Sequence, residues 1–62
     1  MNVIVLTARY RHQVGTCFTW SPESIISIYA DNEKNRVHCE SFKNNHSTED
    51  NKIEWAIIEV LN

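Results

Sequence analysis

A chain of 62 residues cannot enclose much of a core. At this size folding buries only about 60% of the surface that the unfolded chain exposes. One small domain over residues 1–62 is therefore expected, with a stability of a few kcal/mol. A two-domain enzyme and a pocket walled on all sides are excluded. The apolar fraction is 42% and the charged fraction 23%, which excludes collagen-like and disordered classes. No apolar run approaches 18 residues, so no membrane-spanning helix is expected.

Hydrophobic periodicity then divides the chain. Residues 2–11 alternate as a strand, with Ile4, Leu6, Ala8 and Tyr10 on one face. Val3, Val5, Thr7, Arg9 and Arg11 share the other face, and its arginine end should meet water. Gly15 is the single glycine and takes positive φ without steric cost. It marks a turn over residues 12–15 into a second strand at 16–20, with a hairpin loop of three to four residues. Ser21-Pro22-Glu23-Ser24 resembles a helix start: a Ser cap, Pro in the first turn and an acidic residue near the dipole's positive end. The apolar residues that follow separate cleanly at 100° per residue, which predicts a helix over 22–31.

Residues 31–35 read as a polar loop, and residues 36–42 alternate as a third strand with Val37, Cys39 and Ser41 on one face. The last segment fits two periods. Ile53, Ala56, Ile57, Val60 and Leu61 follow a helical stripe, and Ser47-Thr48-Glu49-Asp50 resembles a capping box, so a helix over 48–61 is favoured over a strand. The fold expected is a two-layer α+β domain. A three-stranded antiparallel sheet carries its helices on one face, in the order ββαβα, or ββαββ if the last segment is a strand.

The chemistry-bearing residues are sparse. His12, Cys17, His38 and Cys39 are metal-ligand types, but their spacing matches no zinc pattern, and adjacent residues on a strand point to opposite faces. No metal and no cofactor is expected. The N-terminal segment lacks the basic region of a secretory signal, so Cys17 and Cys39 are expected as free thiols in a cytoplasmic chain rather than as a disulfide. A nucleophile–base pair such as Cys17 with His12 or His38 has no Gly-rich loop or oxyanion donors beside it. The chain is therefore not expected to be an enzyme.

Binding remains. Net charge is −2, which demotes nucleic acid, whose ligands usually carry a basic excess. Arg9, Arg11, Arg36 and His38 would form a nucleic-acid surface if the first and third strands were neighbours. The favoured reading is a protein surface, where Val3 and Val5 are rimmed by Arg9 and Arg11. Trp55 joins it as an exposed anchor if residues 48–61 are helical, because it lies opposite the apolar stripe. Seven Asn and seven Ile against one Gly suggest AT-rich coding, common in bacteriophage and other mobile elements. The chain then reads as a complete small frame acting in a host cytoplasm. The function expected is a non-catalytic inhibitor or modulator of a larger protein, with a homodimer as a competing use of the open sheet face. A nucleic-acid-binding accessory protein is the alternative.

Overall fold

The computed structural model describes residues 1–61. Its organising element is β1 (Asn2–Val14), thirteen residues long, to which every other strand pairs. Gly15, at φ 62°, turns the chain, and β2 (Cys17–Trp20) returns against the far end of β1 with Val14 opposite Cys17. The loop is two residues long, with positive φ at its first position only, the pattern of a type II′ hairpin. It is tighter than the three- to four-residue loop expected, because β1 runs on through Val14.

β3 (Ser24–Ala30) continues along the same edge of β1, from Ala8 down to Val3. The break between β2 and β3 is at Ser21-Pro22-Glu23. Pro22 has no N–H to give a ladder, and Ser21 bridges the gap. Its backbone N–H donates to the Tyr10 carbonyl at 2.8 Å, and its Oγ accepts from the Tyr10 N–H at 3.0 Å. Ser21 therefore caps no helix. The helix expected over 22–31 is strand β3, because Ile25, Ile26, Ile28 and Tyr29 fit a pleated surface and β1 offers them an edge. One extra residue, Ile26, is accommodated where the register shifts opposite Leu6 and Thr7.

The chain then crosses over through α1 (Glu33–His46). The expected strand at 36–42 lies inside this helix. Asn32 caps it, its side chain accepting from the Asn35 N–H, with Glu33 in the first turn and Lys43 and His46 in the last. Arg36 Nε donates to Asp31 at 2.7 Å and ties the helix to the end of β3. β4 (Asn51–Glu59) then pairs antiparallel with the other edge of β1, Asn2 opposite Glu59 through Tyr10 opposite Asn51. The helix favoured over 48–61 is thus a strand. Thr48 Oγ1 accepts from the backbone N–H groups of Asp50 and Asn51, which makes the capping-box resemblance a turn into β4.

The architecture is α+β, an antiparallel sheet of four strands with one helix on one face, in the order βββαβ. The expected ββαβα order, and its ββαββ alternative, both misplace the helix. The core is small. Ile4, Leu6, Cys39 and Ile53 are buried, and Ala8, Tyr29, Phe42 and Trp55 pack against them. Cys39 is a core residue as expected, though it reaches the core from a helix. No helix is long and apolar enough to cross a membrane among the described residues.

Candidate binding surface

Alternation along β1 and the two registers assign every strand residue to a face. The helix-covered face carries Ile4, Leu6 and Ala8 with Tyr29, Ile53 and Trp55. The opposite face carries Val3, Val5, Thr7, Arg9 and Arg11, and no element among the described residues lies over it. It is built in rows. Val5 sits between Ile28 and Ala56, and Val3 between Ala30 and Ile58. Thr7 sits between Ile25 and Glu54, and Arg9 pairs with Lys52 on β4 while its guanidinium reaches Glu23 at 3.4 Å. Thr7, Arg9, Glu23, Lys52 and Glu54 ring a shallow depression of about 210 Å³, below the size of an ordinary small-molecule site.

Beyond Tyr10 the sheet narrows to a two-stranded arm that the helix does not underlie. The cross-strand pairs place Trp20 beside Arg11 and Phe18 beside Gln13, on the open side. The Arg11 guanidinium lies 4.6 Å from the Phe18 ring centre, a cation–π contact. The same guanidinium bonds Asp50 at 2.8 Å and Glu49 at 3.2 Å. The Asp50 hydrogen bond is the main reason its pKa is raised. Phe18 is 60% exposed and Trp20 42% exposed, so the arm displays an aromatic–arginine cluster to solvent.

The five residues expected to bind a partner do not form one surface. Arg9 and Arg11 share the open face. Arg36 and His38 lie on α1, across the sheet, where Arg36 holds Asp31 and His38 packs edge-on against Tyr29 at 5.4 Å. Trp55 is half-buried against the core, and its indole Nε1 donates to Glu40 at 2.8 Å. Its expected exposure rested on the helix that β4 replaces. The arginine–histidine cluster that a nucleic-acid surface required is likewise not assembled, and Arg9, Arg11 and Arg36 each have a carboxylate partner.

Phe18 is not among the expected surface residues, and Trp20 is the more exposed of the two tryptophans. The signal lay in Gly15: a two-residue turn there fixes Arg11 opposite Trp20. The thiols are also far from a shared site. Cys17 is exposed on the arm, while Cys39 is buried, and burial pushes its thiol pKa up. Both are free. No group of three or more potential metal ligands occurs among the described residues. No protein-family model matches this chain, and neither the curated proteins nor the solved structures compared with it include a match.

Proposed function

We propose that this chain is a non-catalytic module that binds a larger protein and modulates it, and that the hairpin arm is the element it inserts. The observation that carries the reading is the Arg11–Phe18–Trp20 cluster, held in solvent on a ribbon with no core beneath it. Two-stranded ribbons are marginal by themselves. Exposing two large aromatic rings on one costs solvation without any folding gain. Tryptophan and arginine are the residue types most enriched where interfaces concentrate their binding energy. A domain whose open face carries a shallow depression can act by covering part of a partner's surface, and a standard interface needs about 800 Å² from each side.

The test is capture from extracts of the cells that express the chain, comparing wild type with Phe18→Ala and Trp20→Ala. Both side chains are exposed, so both variants should keep the wild-type circular dichroism spectrum. A protein retained by wild type and released by Trp20→Ala, with affinity lowered by about 2 kcal/mol or more, supports the reading. Retention that ignores both arm variants overturns it. Retention that disappears steeply with salt and after nuclease treatment favours the nucleic-acid alternative instead.

A further inference from the structure

We infer that the open sheet face is an interface with a second copy of this chain, packed face to face about a two-fold axis running along β1. This inference is independent of the arm reading.

The first argument is area. A compact monomer of 7.3 kDa exposes about 4,200 Å², whereas this chain exposes 4716 Å². Its radius of gyration is 13.7 Å, against about 10.5 Å for a compact domain of this length. The Cα positions span 45 × 26 × 11 Å, a slab with the helix on one face of the sheet and the other face open. The excess of roughly 500 Å² is a little over half of the about 800 Å² that one side of a standard interface supplies. Among the described residues four apolar side chains are buried in the chain by itself, while Ile28 at 59% and Ile58 at 47% exposure stand on the open face. Sheet on sheet, about 10 Å apart, is the ordinary way to cover such a surface.

The second argument is self-complementarity, which a two-fold interface requires. An axis along β1 sets β3 of one copy over β4 of the other, row for row. In the Val5 row, Ile28 then meets the partner's Ala56; in the Val3 row, Ala30 meets the partner's Ile58. Each large side chain faces a small one, twice over by symmetry. In the charged row, Glu23 meets the partner's Lys52, and the two Arg9 side chains face each other across the axis, each paired with its own Glu23 at 3.4 Å. In the Thr7 row Ile25 meets the partner's Glu54, whose carboxylate is held by its own Lys43 at 3.4 Å. The two apolar rows therefore match in size, and the flanks of the charged row match in sign. A second copy fits this face on two independent counts.

The experiment is the molar mass in solution across a concentration series, by light scattering and sedimentation. Wild type should weigh twice the 7.3 kDa chain mass. Ile28→Lys and Ile58→Lys should each weaken association by at least about a hundredfold, because the new charge is buried without a partner. Both sites are exposed in the monomer, so the circular dichroism spectrum should persist. Ile28→Lys combined with Ala56→Glu should recover the dimer, since the axis places those two positions across the interface. Phe18→Ala and Trp20→Ala should leave the mass unchanged, so the arm reading and this one fail separately. A wild-type chain that stays monomeric at hundreds of micromolar overturns the inference. So does a dimer that survives both lysine variants, or a double variant that stays dissociated.

Discussion

Ser21→Ala tests how the arm is joined to the sheet. Ser21 is 5% exposed and stands where Pro22 interrupts the strand along the edge of β1. Its Oγ accepts from the Tyr10 N–H at 3.0 Å and donates to the Pro22 carbonyl at 3.2 Å. Alanine removes the acceptor and leaves the Tyr10 N–H without a partner at a partly buried position. Leaving a buried donor unsatisfied costs about 1–3 kcal/mol. A total stability of about 3–9 kcal/mol is expected at this length, so the loss is a large share. At about 4–8 °C per kcal/mol, a cost near 1.5 kcal/mol lowers Tm by about 6–12 °C. Thermal melting followed by circular dichroism gives the magnitude, and amide exchange at Tyr10 gives the location. Ser21→Asp separates this role from helix capping: a helix cap tolerates Asp well, whereas this buried joint should lose more stability with Asp than with Ala. Unchanged melting in Ser21→Ala with Tyr10 exchange as slow as in wild type would refute the reasoning. So would Ser21→Asp melting at or above wild type.

Two further outcomes follow. Trp55→Phe leaves the exposed indole of Trp20 and should be quenched more strongly by acrylamide than Trp20→Phe; Trp55→Ala, which removes a ring packed against Leu6's neighbourhood in the core, should cost about 3 kcal/mol or more, measured by urea unfolding. The Arg36 guanidinium, bonded to Asp31 at 2.7 Å, holds that carboxyl below its ordinary pKa of 3.8. The stabilisation it contributes is thus present above pH 3.8 and lost as the pH falls through the lower, folded-state value. Asp31→Asn should flatten the acid limb of a plot of Tm against pH, and an unaltered limb would show that the pair does not couple to folding.

The faces of β1, the Gly15 turn and the burial of Cys39 were legible because each follows from one residue's local preference or from strict alternation. The segments around them were not, for reasons that differ. Residues 24–30 satisfy a helical stripe only if Pro22 opens a helix; with β1's edge available, three isoleucines and a tyrosine gain more from pairing than from a turn of helix. Residues 33–46 have so few apolar side chains that periodicity is nearly silent. Cys39 and Phe42, three apart, carry the helix's contact with the core, and the Asn32 cap with Lys43 and His46 at the far end was the readable signal. In residues 51–59, Ile53, Trp55 and Ile57 alternate as well as Ile53, Ala56 and Ile57 spiral. Only pairing to β1, a contact across the length of the chain, decides between them. The candidate surface depended on those decisions, so Arg9 and Arg11 were found, while Trp55 was placed on the wrong side of the problem.

The central position of β1 also governs when the protein can exist. β1 leaves the ribosome ahead of the other described elements, yet its partner along one whole edge is β4, with Asn2 paired to Glu59. Until β4 is synthesised, the nascent chain holds a long apolar strand with one edge unpaired and a helix that has almost no core to cover. Local pairing can raise the hairpin of β1 with β2 and β3 early, but the buried cluster of Ile4, Leu6 and Cys39 closes only when Ile53 arrives. Folding is therefore dominated by contacts distant in sequence, which are slow to form. A growing chain in that state displays strand edges that aggregate readily. Shortness works in its favour here, because the interval between the first strand and the last is brief.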